Sequence, residues 1–354
     1  MSIRKINVEE FVSVSNTFPV FDVRSPGEYN HAHIPGAFSL PLLSDEERVI
    51  VGTAYKQENR QIAIKKGLDF FGKKMRGIVE QVENIKHSNT DCSTIIIHCW
   101  RGGMRSGAMA WLLEMYGYTV LTISGGYKAF RNWALAQFEI NYEFKLLGGY
   151  TGSGKTEVLQ EIQNLGFKII DLEKLANHRG SAFGGIGMDC QPSQEMFENL
   201  LALELFHISS NNFIWLEDES QRIGSNKIPG TVWTSMRASP IFFLNIDFEE
   251  RLKYLVHTYG MMNKEDLMNS IERITKRLGG LEAKNSINHL LENNIPESFR
   301  ILLKYYDKSY TKGLYNRNSS SDLIRIINCV EVNAKVNASK VYGIAGNRMS
   351  HTEN

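Results

Sequence analysis

Cysteine is scarce in this chain, and no two cysteines stand close together. Cys92, Cys99, Cys190 and Cys329 form no C-x-x-C pair, which argues against a zinc site and against a disulfide framework. An excess of charge of one sign is missing too, with 40 Lys and Arg against 39 Asp and Glu, a formal +1. No global basicity announces a nucleic-acid binder, so any RNA contact must come from local patches. Long apolar runs are also absent. No stretch approaches the ~18 residues of a membrane span, and Met1-Ser2-Ile3-Arg4-Lys5 lacks a signal-peptide core. A reducing cytoplasm is the expected compartment, and it is one in which a reactive thiol survives. What is present is ordinary for a soluble globular protein: 42% apolar and 22% charged residues. A length of 354 residues suggests two domains, or one with a large extension.

The chain is organised around Ile95-Ile96-Ile97-His98-Cys99-Trp100-Arg101-Gly102-Gly103-Met104-Arg105-Ser106. The apolar run, the glycine-rich loop and the helical spacing of Ala108, Met109, Trp111, Leu112 and Met115 predict a buried strand, a tight turn and a helix N-terminus. Backbone N–H groups around Gly102 and Gly103 point into such a turn, and the helix dipole adds positive potential. Cys99 is therefore expected to be a nucleophilic thiolate, favoured by Arg101 and Arg105, beside an anion nest of Arg101, Gly102, Gly103 and Arg105. A buried, inert cysteine at a strand end is the plain alternative. The glycines and arginines that follow favour the reactive one.

Residues 18–24 read as a strand, Ser25-Pro26-Gly27-Glu28 as a helix opening and Ile34-Pro35-Gly36 as a turn. Residues 44–90 are mostly helical in pattern, with Lys65, Lys66, Lys73, Lys74 and Arg76 on a solvated face. Residues 119–123 give another strand, and Gly125-Gly126 leads into a helix carrying Tyr127, Phe130, Trp133 and Leu135. Asp22-Val-Arg-Ser-Pro-Gly-Glu28, His33-Ile-Pro-Gly-Ala37, the cysteine loop and Gly125-Gly126-Tyr127 together resemble a rhodanese domain over residues 1 to 138. That resemblance implies an α/β fold on a parallel sheet. Five residues separate Cys99 from Arg105, which resembles the longer loop of rhodanese-fold phosphatases and arsenate reductases more than that of the sulfur carriers. A wider nest suits a phosphate-sized oxyanion.

A second site follows. Residues 144–147 read as a strand feeding Gly149-Tyr150-Thr151-Gly152-Ser153-Gly154-Lys155-Thr156, with Val158, Leu159, Ile162 and Leu165 at helical spacing beyond. This satisfies G-x-x-x-x-G-K-[ST] between a strand and a helix. Gly149, Gly152 and Gly154 let backbone N–H groups approach phosphate, Lys155 neutralises its charge, and the Thr156 hydroxyl suits Mg²⁺. An acid at a later strand end should complete a metal site. Asp171 is one candidate; Glu217 or Asp218, in Phe213-Ile-Trp-Leu-Glu217-Asp218-Glu219-Ser220, is preferred. Loops at 177–185 and 220–225 place Arg179, Ser181 and Arg222 as RNA or diphosphate contacts, or as plain structural turns. Asp247 starts a capped helix, and helical patterns run through 264–278, 281–293 and 296–310. Lys276, Arg277, Lys284, Lys304 and Lys308 make this region mildly basic, with Tyr305, Tyr306 and Tyr310 interspersed; core tyrosines and surface lysines account for it better than an RNA face. Beyond 316 the chain is rich in asparagine and serine, with one strand-like run at 323–327 and a last dozen residues that read as disordered.

The joined motifs resemble the tRNA 2-selenouridine synthase family. They are Cys99-Trp-Arg-Gly-Gly103 with Arg105-Ser106, Gly125-Gly-Tyr-Lys-Ala129, Gly152-Ser-Gly-Lys-Thr156, His178-Arg-Gly-Ser-Ala-Phe-Gly184 and Glu217-Asp-Glu-Ser220 with Ile223-Gly-Ser225. The resemblance implies replacement of sulfur by selenium in wobble-position 2-thiouridine of tRNA. Selenophosphate is then the selenium donor, and an S-geranylated nucleoside made from geranyl diphosphate is the intermediate. Cys99 either attacks selenium or positions the donor, with Arg101 and Arg105 on its phosphate. The competing readings are a rhodanese-fold sulfurtransferase or phosphatase fused to an NTPase, and a regulator with a nucleotide switch. The expected architecture is α/β: a rhodanese-like domain over 1–138, a P-loop NTPase-like domain with a helical C-terminal region over 139–320, and a tail over 321–354.

Overall fold

A computed structural model describes residues 3–89, 93–208, 213–315 and 323–346, so Cys92 lies outside the described residues. The chain divides into two compact units. One runs to Gln137 and takes in Glu198–Ala202; the other holds Phe138–Phe197 and Leu203 onward.

The first unit is built on a parallel sheet of β1 (Ile3–Ile6), β2 (Val20–Asp22), β3 (Phe38–Ser39), β4 (Thr94–His98) and β5 (Thr119–Ile123), in the order β1-β5-β4-β2-β3. Ile95, Ile96 and Ile97 are fully buried because β4 is central and covered on both faces. Each is worth about 1.5–3 kcal/mol of burial. The patterned region 44–90 forms two helices, Asp45–Gln57 and Arg60–Asn89. Phe71, Ile78 and Val82 of the longer helix recur on one face and join the sheet's core. Its basic residues face outward, where Lys74 pairs with Glu47, Lys66 with Glu58 and Arg76 with Glu80. Short helix Pro26–His31 opens with a capping box between Ser25 and Glu28.

The second unit is a parallel sheet of β6 (Phe144–Gly149), β7 (Ile169–Ile170), β8 (Ile214–Glu217), β11 (Ile241–Ile246) and β12 (Ile324–Cys329), with a small hairpin of β9 (Arg222–Ile223) and β10 (Asn226–Lys227). The order is β12-β11-β6-β8-β7. Central β6 therefore delivers its loop to the carboxyl edge of the sheet, where ligands bind in open α/β folds. Helices Phe248–Tyr259, Lys264–Leu278, Gly280–Leu291 and Ile295–Tyr315 bury a separate apolar cluster. The first two are capped by Asp247 and Asn263.

The structure corrects the reading of the C-terminal stretch as a tail. β12 pairs in parallel with β11 over six residues, from Ile324 against Ile241 to Cys329 against Ile246. Helix Ala334–Gly346 then packs Ala338, Val341 and Ala345 against Val158, Leu159 and Ile162 behind the P-loop. Part of the dozen terminal residues read as disordered is thus helical, through Gly346, and the remainder lies outside the described residues.

Candidate active site

Cys99 follows directly after β4 and is buried, with 3% of its surface exposed. Its Sγ lies 3.3 Å from Ser106 Oγ and accepts the Gly103 N–H at 3.3 Å. Burial alone would raise the thiol pKa. Hydrogen bonds from Ser106 and from the backbone N–H groups of Gly103, Ser106 and Arg101 outweigh it, and the pKa falls below the ordinary thiol value. Gly103 also caps the helix Met104–Tyr116, so sulfur sits at that helix's positive end.

The arginines do not play the part expected for the thiolate. Arg105 Nη1 donates to Glu28 at 2.7 Å, and Arg48 pairs with the same carboxylate at 3.0 Å. Glu28 reaches Arg105 because the capping box fixes it at the start of its helix. Arg101 is exposed, and its backbone N–H adds a hydrogen bond to the sulfur. Beneath the loop, Arg24 binds Asp22 through Nε and Nη2 at 2.6–3.0 Å, reaches the Ala32 carbonyl at 2.7 Å, and lies 3.9 Å from the centre of the Tyr127 ring. The Asp22-Val-Arg24 motif is thus a buried support for the loop. Gly125-Gly126 does similar work: the Tyr127 N–H bonds the Cys99 carbonyl at 2.9 Å, and a Cβ on Gly126, at φ +58°, would lie 2.3 Å from that oxygen and 2.6 Å from Gly102 N. Only glycine permits so close an approach.

In the second unit, Gly149–Thr156 wraps from β6 into helix Lys155–Asn164. Lys155 Nζ donates to its own loop at the Gly149 carbonyl, 3.3 Å away. Arg251, 3% exposed, braces the loop from behind by donating to the Thr151 carbonyl at 3.0 Å while paired with Asp307 at 2.7–2.9 Å. A Cβ on Gly152 (φ +80°) would lie 3.0 Å from the Arg251 carbonyl, so the brace and the glycine depend on each other. The loop edges a cavity of about 590 Å³ that also takes in Arg179, Ser181, Asp218, Tyr306 and Tyr310. Arg222 is not among its lining; it stands exposed on β9, in a hairpin that Gln191 clamps through Ser225 N–H at 2.7 Å and the Ile223 carbonyl at 3.1 Å.

The acids are grouped differently from the expected pair. Glu173, Glu217 and Glu219 each place an oxygen within 4.8 Å of the others, while Asp218 instead accepts the Tyr310 hydroxyl at 2.6 Å. Thr156 Oγ1 lies 2.7 Å from Glu217 and 3.3 Å from Glu173. Burial, then mutual repulsion, raises the pKa of Glu173 and Glu217, and burial raises Glu219 against the pull of Lys155. Glu217 Oε2 is buried with no hydrogen-bond partner among the described residues. Three hard oxygen donors, one of them orphaned, beside a P-loop threonine fit a divalent ion such as Mg²⁺. Asp171 caps the short helix Leu172–Leu175 at the cavity edge. Sequence reading missed Glu173, although it sits two residues beyond the strand-end Asp171.

A narrow apolar slot of about 50 Å³ adjoins the cavity, and it was also missed. Thr151, Ser181, Leu255, Tyr259 and Tyr306 line both hollows; Phe183, Phe299, Leu302 and Leu303 line the slot alone. The loop at 177–185 supplies one wall, held by a 3.3 Å bond from the Ala182 N–H to the Tyr306 hydroxyl.

A cysteine nest on one parallel sheet and a P-loop on another define the chain as a rhodanese-like domain followed by a P-loop domain. Family models agree: residues 8–132 match the rhodanese-like domain, and residues 142–325 match the tRNA 2-selenouridine synthase AAA domain. The tRNA 2-selenouridine synthase of Sulfurovum sp. strain NBC37-1 is 34% identical over 346 residues, covering 88% of this chain and 93% of its own. That of Shewanella denitrificans is 33% identical, covering 82% and 87%. Among solved structures, the N-terminal domain of a Clostridium difficile 630 protein described as ATP/GTP-binding is 39% identical over 37% of this chain and 98% of its own, with a TM-score of 0.33. The chain belongs to the tRNA 2-selenouridine synthase family of enzymes. Among the described residues, no helix is long and apolar enough to cross a membrane.

Proposed function

We propose that the protein replaces sulfur by selenium in 2-thiouridine at the wobble position of tRNA, in two steps served by the two sites. In the first, the P-loop cavity binds geranyl diphosphate, and the nucleoside sulfur takes the geranyl group as diphosphate leaves. In the second, selenium from selenophosphate forms a bond to C2 of the base. The C2–S bond breaks, geranylthiolate departs with the electron pair and takes up a proton, and hydrolysis of the P–Se bond yields phosphate. The observation that carries this reading is the slot. A phosphate site that opens sideways onto phenylalanine, leucine and tyrosine suits a diphosphate bearing an apolar chain.

Each residue then has a task. Lys155, freed from the Gly149 carbonyl, and the P-loop N–H groups stabilise charge on the departing diphosphate. Glu173, Glu217, Glu219 and Thr156 would hold Mg²⁺, which supplies Lewis-acid neutralisation of that charge. Arg179 and Ser181 reach the cavity from the polar loop, placed for diphosphate or RNA phosphate. The Cys99 sulfur and its nest of N–H donors serve the selenium donor, and the hydrogen bonds that lower the thiol pKa favour the nucleophilic thiolate there. Cytoplasmic tRNA is the expected partner. The test is to incubate the protein with tRNA containing 2-thiouridine, Mg²⁺, geranyl diphosphate and selenophosphate, then digest to nucleosides for mass analysis. Selenouridine that requires both small substrates is the expected result. Phosphatase or sulfurtransferase turnover with unaltered tRNA would instead mark a rhodanese-fold enzyme fused to an NTPase.

A further inference from the structure

We infer that Trp100 is the platform on which the tRNA nucleobase stacks while its C2 atom meets the cysteine site; this rests on the reading that the second step takes place there. The thiol is buried, with 3% of Cys99 exposed, so the reacting base must come down onto the lip of the loop. Trp100 is the first side chain on that lip, directly after Cys99, and 38% of its surface is open to solvent. Met104, 55% exposed at the start of the following helix, is the other apolar side chain there.

The indole is held from beneath. Its ring centre lies 5.6 Å from that of Tyr127, at an angle of 37°, and the Arg24 guanidinium stands 5.9 Å from the indole and 3.9 Å from the Tyr127 ring. Tyr127 and Arg24 are both buried, so this support is close-packed. The backbone is fixed as well: the Trp100 carbonyl accepts the Lys128 N–H at 3.0 Å, one residue along from the bond between Tyr127 and Cys99. A rigid side chain pinned on its inner side gives up little freedom when a flat partner lands on its outer side. Aromatic faces of this kind bind bases by stacking, because every base has a π-face.

The chemistry of the substrate favours contact with a face over contact with an edge. Alkylation of sulfur converts the C2=S, N3–H edge of 2-thiouridine into C2–S with a C2=N3 double bond, and exchange for selenium restores the N3 proton. The edge therefore changes across the second step, while the face does not. The loop also lacks an amide or carboxylate side chain with which to read an edge: Trp100, Arg101, Met104 and Arg105 flank two glycines, and Arg105 is paired with Glu28.

The experiment uses the whole protein, tRNA already geranylated at sulfur, and selenophosphate, and reads kcat and KM for tRNA by nucleoside mass analysis. Trp100→Ala and Trp100→Leu should each raise KM by about tenfold or more, with kcat changed far less. Trp100→Phe, which keeps a flat ring, should recover most of the loss. Alkylation of Cys99 across pH should give the wild-type midpoint in all three variants, because the groups bonded to sulfur are backbone N–H groups and Ser106. An anticodon stem-loop carrying 2-thiouridine should quench the indole emission of the wild type, and Trp100→Phe should remove most of that quench while still binding the RNA. An unchanged KM in the alanine and leucine variants would overturn the platform, as would a leucine variant that matches phenylalanine or a shifted Cys99 midpoint that accounts for the loss. If the wild type puts no selenium into geranylated tRNA, the parent reading falls. The quench then decides this inference alone: its loss in Trp100→Phe supports the platform and its persistence overturns it.

Discussion

Replacing Ser106 by alanine isolates the interaction that sets the reactivity of Cys99. The hydroxyl is 3.3 Å from Sγ and 3.1 Å from the Gly103 carbonyl, and its single proton serves one of them at a time. With a neutral thiol it donates to the carbonyl; with a thiolate it turns to sulfur. A hydrogen bond to a charged group is worth about 1.5–3 kcal/mol and a neutral one about 1, so the net gain to the thiolate is about 0.5–2 kcal/mol. At 1.36 kcal/mol per unit, the variant's Cys99 pKa should rise by about one unit. The Gly103 N–H and the helix terminus remain in place, and loss of one buried oxygen leaves little void. The sign follows from the lowered starting value: a thiolate populated below the usual thiol range retreats toward that range when a stabiliser is removed. The assay is alkylation by iodoacetamide across pH, read on the peptide carrying Cys99 so that exposed Cys190 does not interfere. A midpoint unmoved by the substitution would refute the assignment of Ser106, and a midpoint already at the free-thiol value in the wild type would refute the nest itself.

Other substitutions separate the two sites. Cys99→Ser should abolish selenium incorporation while the geranylated nucleoside still accumulates; loss of both products would tie sulfur to the first step. Lys155→Ala should lower geranylation by about 10²-fold or more, as expected when a charge on the leaving group goes unmatched, and normal nucleoside yield would take the diphosphate out of the P-loop. Gly126→Ala should cost selenation and destabilise the first unit, because its Cβ would lie 2.3 Å from the Cys99 carbonyl; thermal melting at the wild-type temperature with full activity would contradict the close packing.

The parts legible in the sequence are those that a short stretch encodes by itself. Thr94–His98 is a covered parallel strand whose middle is three isoleucines in a row, and the positive-φ glycines after Cys99 and Gly149 mark backbone that must turn sharply. The partners of those stretches were not legible. Arg105 is paired with Glu28, 77 residues away, so its charge is spent on a neighbour that only the fold brings near. Glu173 joins Glu217 because β7 and β8 are adjacent, a pairing that spacing along the chain does not reveal. The slot draws on Phe183, Leu255 and the helix of Phe299, three separated segments whose apolar residues look like ordinary core until their packing leaves a gap beside the P-loop. The strand-like run at 323–327 is β12, but its place was not legible: only the fold sets it alongside Ile241–Ile246.

The most direct measurement is a single-turnover time course of the nucleosides in 2-thiouridine tRNA, with protein in excess over RNA and both geranyl diphosphate and selenophosphate present. The geranylated nucleoside should rise first and decay as selenouridine appears, and it should persist when selenophosphate is withheld. Selenouridine forming at the same rate without any prenyl diphosphate would contradict the two-step exchange.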